Sequence, residues 1–150
     1  MLIEARPNND PELAALVAAQ QAELRAAERA GRIVSGVVKS VRDNARHIVG
    51  VLGGRVVGCG ALQALDAETA EIRRMYVRPA YRGRGLGRQL LVALEEMAMT
   101  FGYSVLFLET ARSLPQAIGL YRSCGYVELP SGGTNDPYRV CFQKRLPVPA

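Results

Sequence analysis

The spacing of apolar and polar positions changes period several times along the chain, and each change marks an element. Residues 1–6 alternate as a strand does. Asn8-Asn9-Asp10-Pro11 then starts a helix, with an N-cap candidate followed by proline at the first helical position. Leu13, Leu16, Val17, Gln20 and Leu24 recur at helical spacing through an alanine-rich stretch ending near Gly31. Over residues 32–45, Val34, Val37, Val38 and Val41 lie three and four apart, but β-branched residues are weak helix formers, so a short helix or a loop is expected. From His47 the period shortens: residues 48–52, the turn Gly53-Gly54 and residues 55–62 read as a hairpin. A third strand over 69–77 leads into a glycine-rich loop. An amphipathic helix over 86–101 follows, with Leu90, Leu91, Leu94 and Met97 on one face. A compact apolar strand over 105–110, a helix over 115–123 ended by Gly125, and strands over 126–129 and 138–144 complete the chain. The pattern predicts one α/β (α+β) domain over residues 1–150, without repeats or linkers.

Composition narrows the class. The 150 residues are 49% hydrophobic and 22% charged, ordinary values for a globular domain. No apolar run is long enough to cross a bilayer, and the amino-terminal residues do not read as a secretory signal, so a cytoplasmic protein is expected, with no membrane partner. Cys59, Cys124 and Cys141 are widely spaced and lack any metal-ligand pattern with histidine, so reduced thiols and no metal are expected. The net charge of +5 raises the question of nucleic acid. Much of the positive charge is gathered in Arg73, Arg74, Arg78, Arg82, Arg84 and Arg88 beside glycines, which suits a small phosphorylated ligand better than a duplex.

The chemistry concentrates in residues 71–88, read as strand, Pro79 turn, glycine loop and helix start. Glycines can turn their amides inward without a Cβ in the way, and the next helix aims its positive dipole end at the same place. Together they form a cradle for a pyrophosphate. Gly83, Gly85 and Gly87 alternate, which is not the G-x-G-x-x-G of dinucleotide sites, and no G-x-x-x-x-G-K-S/T loop is present.

The stretch resembles the acetyl-CoA signature R/Q-x-x-G-x-G/A of the GCN5-related N-acetyltransferase (GNAT) superfamily, met by Arg82, Gly85 and Gly87 after a Val77-x-Pro79 lead-in. The segment from Ala117 through Leu120-Tyr121 to Gly125-Tyr126 resembles the family's A-x-x-L-Y-x-x-x-G-F/Y motif, and the resemblance covers nearly the whole chain. It implies a central, mixed, mostly antiparallel sheet flanked by helices. It also implies transfer of an acetyl group from acetyl-CoA to a primary amine by direct attack.

The resemblance further implies that the amides of Arg82, Gly83, Arg84, Gly85, Leu86, Gly87 and Arg88 hold the pyrophosphate. Met75, Tyr76 and Val77 then meet the pantetheine arm, one of their amides polarises the acetyl carbonyl, and Ala117 contributes to the cofactor site. Tyr121 matches the tyrosine that protonates the leaving thiolate, the alternative being a core tyrosine under the ligand. Glu71 stands where histone-acetylating members place a catalytic glutamate, and strand alternation predicts that it shares a face with Arg73, Met75 and Val77. The alternatives are a glutamate paired with Arg73, the competing carboxylate Glu109, or a base reached through water. Leu114 stands where many members carry an asparagine contacting the cofactor arm. His47 reads as structural and Cys124 as packing. The acceptor is not legible and would be set by the helix after residue 10, the 32–45 segment and the loop over 130–137; Glu109 and Asp136 are candidates for attracting a cationic amine, small molecule or protein. A non-catalytic acyl-CoA sensor or interaction module stands as the alternative function, and a homodimer is compatible with the fold.

Overall fold

The structure is a computed structural model that describes residues 1–31, 44–130 and 137–147. Most of the ambiguous 32–45 segment and Asp136 lie outside the described residues. The described elements are β1 (Leu2–Arg6), α1 (Pro11–Arg29), β2 (Arg46–Leu52), β3 (Arg55–Ala64), β4 (Thr69–Val77), α2 (Leu86–Thr100), β5 (Val105–Ala111), α3 (Pro115–Ser123), β6 (Val127–Glu128) and β7 (Arg139–Arg145). A 3-10 turn, Pro79–Tyr81, follows β4. The expected strand over 126–129 is reduced to Val127 and Glu128, with the Leu129 amide still donating to the Cys141 carbonyl of β7 at 2.9 Å.

The strands form one sheet in the order β1-β2-β3-β4-β5-β7-β6, with β4 and β5 parallel and the other neighbours antiparallel. Helix α2 supplies the main core. Leu90, Leu91, Leu94 and Ala98 are fully buried with Ile48, Leu62, Ile72, Leu106, Leu108 and Phe142. Each buried leucine contributes about 2 kcal/mol by removal from water. Helix α1 covers the opposite face, packing Leu13 and Leu16 against Val49, Cys59 and Tyr76. Its start is fixed by Asp10, whose carboxylate accepts the Leu13 amide at 2.9 Å, with Pro11 opening the first turn.

Two features of β4 position the site. Its pairing with β5 runs only from Thr69–Val105 to Ile72–Leu108, while β5 stays paired with β7 along its whole length, so the second half of β4 has a free edge on that side. The β3–β4 register also shifts between Cys59 and Ala61, opposite Arg74, which sits at φ 56°. This bulge re-aims the strand. Before it, Ala70 and Ile72 face α2, which puts Glu71 and Arg73 on the α1 side; after it, Met75 and Val77 pack on the α2 side and Tyr76 on the α1 side. The expected sharing of one face by Glu71, Met75 and Val77 is therefore incorrect, because the extra residue resets the alternation.

Candidate active site

The free edge of β4 opens into a cleft of about 890 Å³. One wall is α1, through Gln20, Glu23, Leu24 and Ala27; the other is the segment from Ser113 to Ala117 with Leu120 and Tyr121. The floor is Met75, Tyr76 and Val77, and the mouth is Arg82, Gly83, Gly85, Leu86, Gly87 and Arg88. Ten of the eleven predicted cofactor contacts, and Tyr121, are thus brought together. Arg84 is not on the lining; its guanidinium lies 5.4 Å over the Tyr81 ring.

Local conformation explains the mouth. Gly85 caps α2 at φ 78° and ψ 11°, a left-handed geometry that strains any residue with a Cβ, and a Cβ there would meet nothing within 4 Å. Gly87 has no positive φ, and a Cβ on it would stand in contact with the Leu120 side chain at 3.4 Å, so it sits where α2 faces α3. Among the described residues no side chain caps α2, so its first amides are open to water or an anion. A pyrophosphate fits this mouth, with open space at the glycine, amide donors and arginines around it.

The arginines are tied in place rather than loose. Arg82 donates Nη1 and Nη2 to the Glu23 carboxylate at 2.7 and 2.9 Å, and Nε to the Val77 carbonyl at 2.9 Å. The hydrogen bonds from Arg82 foremost, with the nearby Tyr76 hydroxyl contributing, hold the Glu23 carboxyl below the usual range. Arg88 reaches Ser123 Oγ at 2.7 Å and Cys124 Sγ at 3.4 Å, joining the first turn of α2 to the end of α3. Cys124 is a free thiol that packs there, as expected. On the floor, Gln20 Nε2 donates to the Met75 carbonyl at 3.1 Å.

Tyr121 is 8% exposed, with its ring between Tyr126 at 6.1 Å and Phe142 at 6.2 Å. Burial alone pushes its hydroxyl up to about 12, so it is protonated throughout the neutral range. Tyr126 is anchored separately, donating to Glu95 Oε2 at 2.9 Å while Lys144 binds the same oxygen at 2.9 Å.

The two predicted carboxylates are placed differently from Tyr121. Glu71 is buried, accepts from Arg73 Nη2 at 3.0 Å and does not line the cleft. Glu109 is ion-paired with Arg139 and is also off the lining. Leu114 lines the cleft at the N-cap of α3, without a side-chain cap bond. His47 is buried with Nδ1 2.7 Å from Asn8 Oδ1, a structural contact.

The sequence model of the acetyltransferase (GNAT) family matches residues 10–126, which include both walls, the floor and the mouth of the cleft. The chain belongs to the GNAT acetyltransferase family. An IAA acetyltransferase of Azospirillum brasilense is 39% identical over 105 residues, covering 67% of this chain and 68% of that one. The chain spans between 35% and 46% of the length of three further curated relatives. Among solved GNAT-like structures, a Klebsiella pneumoniae protein provisionally assigned as an acyl-CoA N-acyltransferase is 29% identical, covers 97% of both chains and has a TM-score of 0.79. A GNAT family acetyltransferase from Elizabethkingia anophelis, solved with acetyl-CoA bound, has a TM-score of 0.73 at 18% identity, a likeness of fold.

Within this GNAT fold, sequence reasoning gave the helix after residue 10 a part in setting the acceptor but did not name Gln20 or Glu23 as lining residues. Gln20 offered a signal, being a polar residue inside the apolar stripe, and Glu23 follows it by almost one turn. Arg139 carried none, since its partner is thirty positions away.

Proposed function

We propose that this GNAT protein is an acetyl-CoA-dependent N-acetyltransferase acting on a primary amine, with residues 1–150 working as one catalytic domain. The observation that carries the reading is the cleft itself: a bulged strand with a free edge, ending in a glycine-capped helix start, between two walls. Acetyl-CoA, when bound, supplies the acetyl group activated as a thioester.

The chain's residues have separable tasks. The loop amides from Arg82 to Arg88 hold the pyrophosphate, and Arg88 adds charge from a fixed position. The amides along Met75–Val77 face the arm and steady the charge that develops on the acetyl oxygen, a donor already in place costing no reorganisation. Tyr121, protonated at neutral pH, gives its proton to the departing sulfur as the amine nitrogen bonds the acetyl carbon and the carbon–sulfur bond breaks. The proton leaving the amine passes to water or to Glu71 through water, since Glu71 does not line the cleft. A second reading, an acyl-CoA sensor without turnover, is favoured by one observation: the carboxylates considered as bases, Glu71 and Glu109, are both held by arginines.

The test is calorimetric titration with acetyl-CoA, coenzyme A and ATP, followed by thiol release in the presence of amino acids, polyamines and peptides with free amino termini. Saturable acetyl-CoA binding with thiol release establishes the enzyme. Binding without release from any amine selects the sensor, and no binding of either coenzyme form refutes both.

A further inference from the structure

We propose that Glu23 is a resident competitor for the cofactor's pyrophosphate, occupying the Arg82 fork until the cofactor displaces it. The inference rests on the acetyl-CoA reading above and adds to it a residue from outside the signature loop.

The cleft has to accept a ligand with several phosphate charges, yet one carboxylate stands in it. Among the described residues of the lining, Arg82 and Arg88 are the cations and Glu23 is the only acid. Glu23 takes both terminal nitrogens of Arg82 in a bidentate pair. A carboxylate and a phosphate offer a guanidinium the same pair of oxygens, so Glu23 fills the place that a phosphate group would take. Arg82 cannot avoid the contest by swinging away, because its Nε is engaged by the Val77 carbonyl.

Three features make the exchange cheap. The side chains of Arg82 and Glu23 are 42% and 40% exposed, so the pair is reachable and, as a surface pair, weak. The Tyr76 hydroxyl lies close enough to help hold the Glu23 carboxyl low, and it remains beside Glu23 when a phosphate takes the Arg82 fork. Meanwhile Arg82 stays 5.5 Å over the Tyr76 ring, a contact compatible with either partner. Because Glu23 belongs to α1 and Arg82 to the loop, the exchange unties the α1 wall from the loop when the cofactor enters. Glu23 thereby sets cofactor affinity and favours release of spent coenzyme.

Calorimetry on the wild type, Glu23→Gln, and Glu23→Gln combined with Arg82→Gln tests this with three probes: acetyl-CoA, inorganic pyrophosphate and S-acetylpantetheine, which lacks phosphate. Glu23→Gln is expected to bind acetyl-CoA and pyrophosphate about fivefold more tightly, the scale of one exposed ion pair. S-acetylpantetheine affinity stays the same, and the gain disappears in the double variant. Glu23→Ala, checked for folding by its melting curve, gives the same direction. Equal or weaker binding of both anions by the two Glu23 variants overturns the proposal and makes Glu23 a support for Arg82. Should the wild type bind pyrophosphate but not acetyl-CoA, the acetyl-CoA reading fails alone, and the competition is judged on pyrophosphate. If no variant binds either anion, both fall.

Discussion

Gln20 on α1 donates its side-chain amide to the backbone carbonyl of Met75, 55 positions away, at 3.1 Å. With Arg82 Nε on the Val77 carbonyl, two acceptors at the cleft end of β4 are covered by side chains. A strand edge with its carbonyls covered presents mainly donors, which suits the carbonyl oxygen of a thioester and blunts pairing with a foreign strand. Gln20→Leu removes one cover and leaves the Met75 carbonyl bare in a partly buried place. It is expected to cost about 1–2 kcal/mol of stability, read from the urea midpoint at unchanged slope. An unchanged midpoint would mean that water replaces the amide without loss.

Gly85 separates conformation from space. At φ 78° an alanine is strained, yet its Cβ meets nothing within 4 Å. Gly85→Ala is therefore expected to lower stability by about 1 kcal/mol. Gly85→Glu carries the same strain, so its melting point should match that of Gly85→Ala, but it abolishes acetyl-CoA binding, since an anion would extend into the mouth of the cleft. Tight binding by Gly85→Glu in calorimetry would remove the loop from the cofactor site.

Tyr121→Phe keeps the ring between Tyr126 and Phe142 and deletes only the hydroxyl. If that hydroxyl protonates the leaving sulfur, acetyl-CoA affinity stays within about twofold while turnover falls by about tenfold to a hundredfold. The pH profile gives a second check. Burial raises the group to about 12 from its usual 10, so the acid form persists on the alkaline side. Any loss of turnover between pH 8 and 10 in the wild type must then come from another group, and the same limb should appear in Tyr121→Phe.

Much of this was legible beforehand for physical reasons. The glycine loop and the apolar repeats of α2 are local patterns: Gly85 announces its left-handed cap, and Leu90, Leu91 and Leu94 announce a buried face. The orientation of Glu71 was not legible, because it depends on a bulge at Arg74, a residue with no special propensity for φ 56°. Strand period alone placed Glu71 with Met75, and one extra residue reversed that. The local pair Glu71–Arg73 was among the readings, but ion pairs between distant elements were hidden. Glu23–Arg82 and Glu109–Arg139 join elements far apart in sequence, and nothing near either glutamate marks its partner. The apparent anionic character of Glu109, which suggested attraction of a cationic amine, is offset by Arg139.

His47 is the chain's one histidine, so its titration can be read without interference. It is buried on β2, and Nδ1 lies 2.7 Å from Asn8, just ahead of the Asp10 cap of α1. Burial first, and the nearby Arg74 charge second, lower its pKa below the ordinary 6.5. Above pH 6.5 the ring is neutral in both states and stability is complete. Below it the unfolded chain takes the proton first, so stability falls with decreasing pH until the folded ring protonates as well. Unfolding midpoints in urea should therefore drop between pH 7 and pH 5, above the range where carboxylates such as Glu23 titrate. The drop should be largely absent in His47→Gln. A wild-type midpoint that stays level across that interval would show the ring to be as easily charged in the fold as in the open chain. Since Asn8 sits two residues before the α1 cap, hydrogen exchange at the first turn of α1 should rise over the same interval, linking the titration to the helix that carries Gln20 and Glu23.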